Sequence, residues 1–168
     1  LAMAEGSWSQ NHHQANAYAG LVQIYFYQQA WDKMAEAAQT AVDMAHGHDD
    51  LLASYCTGLL GLAYSHLQRG DAETATTTYQ QAAFQVQRSE EVMTAFYYKL
   101  ARAYHTQQEQ YEQALRLTDS ELAQIGGKGL LYREAYAASA RCELLHKLGQ
   151  LTEADVRAAR DVIAQLKA

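Results

Sequence analysis

Apolar residues recur along the chain at intervals of three and four residues, which place them on one face of an α-helix. Three segments carry this stripe in the same form: Tyr18, Leu21, Val22 and Tyr25; Leu59, Leu62, Ala63 and Leu67; Tyr97, Leu100, Ala101 and Tyr104. A second stripe, richer in alanine, follows each of them and allows a neighbouring helix to approach closely. The pattern predicts eight helices, over residues 9–28, 31–46, 50–69, 72–88, 90–108, 110–125, 130–148 and 151–166.

A turn signal separates the two helices of each predicted pair. The signals are Gln29, Gly70, Glu109 and Gly149, at intervals of 41, 39 and 40 residues. Glycine at two of these positions suits the left-handed residue that commonly ends a helix. A small or slim side chain follows each turn at the same distance: Met34, Ala75, Ala114 and Ala154. Asp71 and Thr152 are predicted to cap the helices that follow.

The composition agrees with long helices and tight connections. The chain has no proline and is rich in alanine, glutamine, leucine and tyrosine, which favours helix over strand. No linker interrupts it, so we predict a single domain over 1–168, in units of roughly 9–46, 50–88, 90–125 and 130–166. Because residue 1 is not methionine, we expect a fragment of a larger protein.

Charge and cysteine content narrow the class of partner. The formal net charge of -6 argues against direct nucleic-acid binding, which needs a basic face. No apolar run has the length of a membrane span, so membrane insertion is not expected. Cys56 and Cys142 are predicted to be free thiols on helix faces two units apart, too distant for a disulfide. A cytoplasmic, reducing location is therefore expected.

No constellation of residues predicts catalysis. His46, His48 and Asp49 belong to a connection between units, which we interpret as a solvated loop and not as a metal site. The Gly-Gly-Lys-Gly run at 126–129 lacks the strand and the Lys-Ser/Thr ending of a phosphate loop. We expect no enzyme activity, no cofactor and no bound metal.

Three histidines recur near the ends of the first helix of a unit: His66, His105 and His146. A histidine there meets the negative end of the helix dipole and can donate to unpaired carbonyls. Capping is the leading interpretation, and a row of donors lining a binding groove is the alternative.

Together, these features resemble the tetratricopeptide repeat (TPR) family. The resemblance rests on the Leu/small/Tyr spacing, the Gly70–Asp71 turn and the run Ala75, Tyr79, Ala82, and it covers nearly the whole chain. The unit of about 40 residues is longer than the usual period of about 34, and the closing proline is missing. Longer units of this kind are similar to TPR-like arrays of bacterial transcription and signalling regulators. The resemblance implies an all-α, right-handed α-solenoid of antiparallel helix hairpins, with about four units and eight helices.

The resemblance also implies a function and a binding surface. We predict a protein-interaction scaffold that binds a peptide or a helix of a partner in a concave groove lined by the first helices. The alternative is an effector-sensing or oligomerisation segment of a larger bacterial regulator, and a homo-oligomer stays open. Tyrosine suits such a surface, although ordinary amphipathic packing would also explain it. The predicted groove residues are Gln23, Phe26, Tyr27, Leu60, Tyr64, Leu67, Tyr98, Arg102, His105, Tyr136, Ser139, Glu143 and His146.

Overall fold

The computed structural model describes residues 2–86 and 94–166, with side chains from residue 11 onward. Within these ranges the chain is all-α and contains no strand. The helices are α1 (Ala2–Tyr27), α2 (Trp31–Ala45), α3 (Leu52–Gln68), α4 (Ala72–Val86), α5 (Ala95–Gln107), α6 (Tyr111–Ile125), α7 (Leu131–Lys147) and α8 (Glu153–Gln165). One turn of 3-10 helix, Asp49–Leu51, leads into α3. Over the residues that the structure describes, the prediction of an all-α chain with eight helices is confirmed.

The observed helix ends agree with the predicted ones to within a few residues, with one exception. Helix α1 begins at Ala2 and not at residue 9, since Ala2, Met3, Ala4 and Glu5 are strong helix formers although they carry no apolar stripe. The predicted end of the fourth helix and start of the fifth, residues 87–93, lie outside the described residues.

The four connections within the helix pairs share one backbone geometry. Gln29, Gly70, Glu109 and Gly149 all have left-handed backbones, with φ of 55°, 80°, 59° and 68°. In the second pair, the amide of Asp71 donates to the carbonyl of His66 over 3.0 Å, and the amide of Gly70 donates to that of Leu67 over 3.1 Å. The same two hydrogen bonds close the other three turns. This is the Schellman motif, and the predicted turn positions are confirmed.

The slim residue that follows each turn is buried in three of the four pairs. Met34, Ala75 and Ala114 are fully buried, whereas Ala154 is exposed. The last turn differs because α8 begins two residues later relative to its turn than the helices of the other pairs do. Thr152 caps it, accepting from the amide of Asp155 over 3.3 Å while the Asp155 carboxylate accepts from the amide of Thr152 over 3.0 Å. The predicted caps are confirmed.

The chain divides into two compact units, residues 1–100 and 101–168, and the division falls within α5. In the first unit, α1 packs against α2 and α3, α2 packs against α3, and α3 packs against α4. Glycine permits the closest of these approaches: a Cβ atom at Gly61 would lie 2.7 Å from Val22 Cγ1, and one at Gly58 would lie 2.8 Å from the carbonyl oxygen of Ala38. Helix α3 is therefore buried on most of its circumference.

In the second unit, α6 packs against α7 and α7 packs against α8. Two side chains of α5, Arg102 and Tyr104, are also buried. The interior contains mainly alanine and leucine together with three polar residues, Arg102, Thr118 and Glu121. A buried carboxylate needs partners, and those partners define the candidate site.

Candidate partner-binding site

One face of α7 is exposed along most of the helix. It carries Tyr132, Tyr136, Ser139, Glu143 and His146, spaced by four, three, four and three residues, and we call this set the α7 stripe. The exposed fraction is 82% for Tyr132 and 48% for Tyr136, although both are large aromatic side chains. The opposite face of α7 is buried through Ala137, Leu144 and Leu145. The helix is thus anchored on one side and presents aromatic and polar groups on the other.

Beneath the stripe lies a buried ion network that joins three helices. Arg102 of α5, with a side chain only 7% exposed, donates from Nη1 to Glu121 Oε2 over 3.1 Å. Arg133 of α7 donates from Nε to Glu121 Oε1 over 2.8 Å. Each oxygen of the Glu121 carboxylate, 2% exposed, therefore accepts from one guanidinium. Such charge-assisted bonds are stronger and more directional than neutral ones, so the three side chains fix one another.

Thr118 and Tyr136 complete the surroundings of Arg102. Arg102 Nη1 also donates to Thr118 Oγ1 over 3.3 Å, and the Thr118 hydroxyl in turn donates a hydrogen bond to the carbonyl of Ala114 over 2.9 Å. The Arg102 guanidinium carbon lies 5.4 Å from the centre of the Tyr136 ring, a cation–π distance. The Nη2 atom of Arg102 is buried and has no hydrogen-bond partner. A fixed guanidinium with unused donors thus lies against the half-exposed ring of Tyr136.

The first unit carries a separate aromatic cluster. The half-buried ring of Phe26 contacts the rings of Tyr27, Trp31, Tyr64 and Phe96, with centroid distances between 5.3 and 6.3 Å. Lys99 Nζ lies 4.0 Å from the centre of the Tyr27 ring. Tyr27 is 64% exposed. The last turns of α1 therefore end in an exposed aromatic edge that rests on a packed interior.

The structure separates the predicted groove residues into three groups. Gln23, Tyr27, Tyr136, Ser139, Glu143 and His146 are exposed; Phe26, Leu67 and His105 are half-buried; Leu60, Tyr64, Tyr98 and Arg102 are buried. The expectation that these residues are exposed is wrong for the last group. A single apolar stripe underestimates the buried arc of a helix such as α3, which packs against α1, α2 and α4. Partner binding by the exposed residues stays a prediction.

Tyr132 was not among the predicted residues, although it belongs to the α7 stripe. The available signal was its position four residues before Tyr136, on the same helical face. It is the second residue of α7 and directly follows a glycine-rich connection. Too few helical residues precede it for the helical spacing to be recognised at this point of the sequence.

The recurring histidines are not equivalent in the structure. Nδ1 of His105 lies 2.7 Å from Oε1 of Gln110, and Nδ1 of His66 lies 3.6 Å from Oδ2 of Asp71. Both therefore pair across the turn with a side chain five residues on, and the predicted donation to free carbonyls is not what these contacts show. Burial lowers the pKa of His105, which favours its neutral form. In the last turn the amide of Gln150 donates to the carbonyl of Leu145, whereas the carbonyls of His66 and His105 accept the corresponding bonds in their turns. His146 is therefore one residue out of register with the other two histidines, and it is exposed.

Other reactive groups lie apart from these surfaces. Cys56 and Cys142 are both free thiols, as predicted. Burial raises the pKa of Cys56 to about 12, so this thiol is protonated and unreactive at neutral pH. In the described part of the chain, no three His, Cys, Asp or Glu side chains are grouped so that they could hold a metal ion.

Among the residues that the structure describes, no helix is both long enough and apolar enough to span a membrane.

No protein-family model matches the sequence, and no curated protein matches it either. Among solved structures, the chain is similar to the crystal structure of BtubC (BKLC) from P. vanneervenii, with a TM-score of 0.65 and 19% sequence identity. The match covers 92% of this chain and 65% of the BtubC chain. At this identity the likeness shows the fold alone, and the helical arrangement is what the two chains share.

Proposed function

We propose that the chain is a protein-interaction module which binds a peptide or a helix of a partner protein, and that the α7 stripe is part of its binding surface. The observation that carries the proposal is the exposure of two tyrosines, Tyr132 and Tyr136, on a helix whose other face is anchored in the interior. Tyrosine combines a large apolar ring with one hydroxyl group and is enriched where protein partners bind.

Rigidity beneath the stripe supports the same conclusion. Arg133 precedes Tyr136 by less than one helical turn and is held by the buried Glu121 carboxylate. The backbone under the exposed rings is therefore fixed before a partner arrives. A preorganised surface loses less conformational entropy on binding than a mobile one, so a larger share of the contact energy becomes affinity.

Under this proposal the hairpins follow one another in a right-handed solenoid, whose first helices line a concave groove. Two observations support it. The same Schellman turn closes all four helix pairs. In the first unit, α1 also packs against α3, so that the first helices of successive pairs are neighbours, as in a stack of hairpins.

Site-specific photo-cross-linking in the source cell tests the proposal. A benzophenone amino acid replaces Tyr132, and a matched control carries it in place of Phe84, an aromatic residue of α4 that is 61% exposed. We expect the Tyr132 probe to capture a defined partner and the Phe84 probe not to do so. Capture at Phe84 with none at Tyr132 would place the binding surface on the second helices.

The captured partner, once purified, allows the contribution of each ring to be measured. We expect Tyr132→Ala and Tyr136→Ala each to weaken binding by about 1–2 kcal/mol, within the range of aromatic anchors. The control is Arg116→Ala, an exposed residue of α6, for which we expect wild-type affinity. Binding that is insensitive to both tyrosines would contradict the proposal.

A further inference from the structure

We infer that a segment bound along the α7 stripe places an internal acidic side chain against Arg102, beside Tyr136. The inference rests on the proposed function and specifies the chemistry of the partner. It follows from the hydrogen-bonding state of Arg102 and from the position of that residue relative to the exposed stripe.

Arg102 has hydrogen-bond donors that are not used. Arg102 donates from Nη1 to Glu121 and Thr118, while its Nη2 atom is buried without a hydrogen-bond partner. Glu121 does not serve that atom in this structure, where its Oε2 accepts from Arg102 Nη1 and its Oε1 accepts from Arg133. A buried charged donor without an acceptor is costly, and an added acceptor therefore gains more here than at an exposed arginine.

Tyr136 lies between the exposed stripe and these donors of Arg102. Tyr136 is the residue of the α7 stripe that contacts Arg102, with 5.4 Å from its ring centre to the guanidinium carbon. Its ring is about half exposed, and half-exposed side chains change rotamer rapidly. A shift of this ring opens a path from the stripe to Nη2, and the displaced ring remains available to pack against the apolar part of the ligand.

A carboxylate is the acceptor that best fits this guanidinium. A planar guanidinium matches the geometry of a carboxylate, which can accept two parallel N–H bonds. The stripe continues on both sides of Tyr136, to Tyr132 in one direction and to Ser139 and Glu143 in the other. A segment that follows the stripe therefore passes Arg102 at a point between its two ends. The acceptor at that point is an aspartate or glutamate side chain and not a terminal carboxylate.

Glu143 limits the charge that this segment can carry further along the stripe. It is exposed on the same stripe, seven residues after Tyr136, which corresponds to about 10 Å along a helix. A second acidic group of the partner at that point would be repelled. The surface thus fits a segment with an acidic residue at Arg102 and a neutral or basic residue about two helical turns away.

Blocked tripeptides serve as probes for the test, with the full chain labelled in nitrogen-15. Acetyl-Ala-Glu-Ala-amide is titrated while the Nε–Hε signal of Arg102 and the signals of Tyr136 are followed by NMR. The control is acetyl-Ala-Gln-Ala-amide, which has the same shape without the charge. We expect a saturable shift of both residues with the glutamate peptide and none with the glutamine peptide. Equal responses to the two peptides, or no response at Arg102, would overturn the inference.

Two further probes separate the sources of an anion. Acetyl-Ala-Gln-Ala with a free C-terminus presents a terminal carboxylate, and acetyl-Ala-phosphoserine-Ala-amide presents a phosphate. We expect both to bind more weakly than the glutamate peptide. If either binds more tightly, the site recognises a chain end or a phosphorylated residue, and the assignment of an internal acidic side chain is wrong.

Two variants connect the response to the named atoms. Arg102→Lys retains the positive charge and loses the Nη2 donors, and we expect roughly tenfold weaker binding of the glutamate peptide. Arg116→Lys makes the same change at an exposed arginine of α6 and is the matched control, for which we expect wild-type binding. Unchanged binding in Arg102→Lys, or an equal loss in both variants, would contradict the inference, and thermal unfolding of each variant verifies that it is folded.

The two proposals can fail separately. A partner captured at Tyr132 that binds Arg102→Lys with unchanged affinity would retain the proposed function and refute the acidic contact. A specific response to the glutamate peptide without any capture at Tyr132 would support the Arg102 site and refute the interaction module.

Discussion

Glu121 is the residue whose replacement tests the energetics of the second unit most directly. Its side chain is 2% exposed and accepts from Arg102 over 3.1 Å and from Arg133 over 2.8 Å. Glu121→Gln keeps the shape and one acceptor oxygen but removes the negative charge between two guanidinium groups. Removing one partner of a buried ion pair typically costs 3–5 kcal/mol. Because the glutamine can still accept one bond, we expect a loss near the lower end, about 3 kcal/mol.

Arg102→Met is the matched control, because it leaves the pairing of Glu121 with Arg133 intact. The remaining pair of Glu121 and Arg133 then has one charge of each sign. The free energy of unfolding therefore falls only by the lost hydrogen bonds and packing, about 1–2 kcal/mol. Urea unfolding of the full chain, followed by circular dichroism and extrapolated linearly to water, gives both values. The reasoning is refuted if Arg102→Met loses as much stability as Glu121→Gln, or if Glu121→Gln loses less than about 1 kcal/mol.

Three further expectations follow from the structure. Glu109 has a left-handed backbone with φ of 59°, so we expect Glu109→Gly to stabilise the chain by about 0.5–1 kcal/mol, seen as a higher melting temperature. Tyr98 is fully buried, so Tyr98→Ala costs about 3–5 kcal/mol in urea unfolding, whereas Tyr132→Ala at an exposed position stays within about 0.5 kcal/mol. The hydrogen bonds from Thr152 and the Arg141 side chain lower the pKa of Asp155 to about 2, below its ordinary 3.8. The stabilisation is therefore present above pH 3.8 and is lost as the pH falls towards 2, so the stability deficit of Thr152→Ala relative to wild type shrinks over that interval.

The turns could be located from the sequence because they depend on local geometry. Gly70 and Gly149 are recognisable by residue type, since glycine adopts a left-handed backbone without strain. Gln29 and Glu109 carry no such signal. Their positions follow only from the regular spacing of the repeat, and the structure gives both of them the same left-handed backbone.

The binding surface was harder to predict because exposure depends on how many neighbours a helix has. Periodicity identifies the centre of a buried face and not its width, so it predicts that Leu60 and Tyr98 are exposed, although both are buried. No pattern in the sequence predicts the ion network. Glu121 is 19 residues from Arg102 and 12 from Arg133, and a charged residue in a helical sequence is normally read as solvent-exposed.

The Schellman turns have a consequence for how the chain acquires its structure. Each turn is closed by hydrogen bonds that span no more than five residues, and it requires nothing from distant parts of the sequence. Contacts so close in sequence carry little loop-closure entropy, and chains rich in them fold fast. We expect each hairpin to act as a separate nucleation point during refolding and during synthesis. The same independence allows the segment between two successive turns to be duplicated or deleted in evolution, because both cuts then fall in turns of the same geometry.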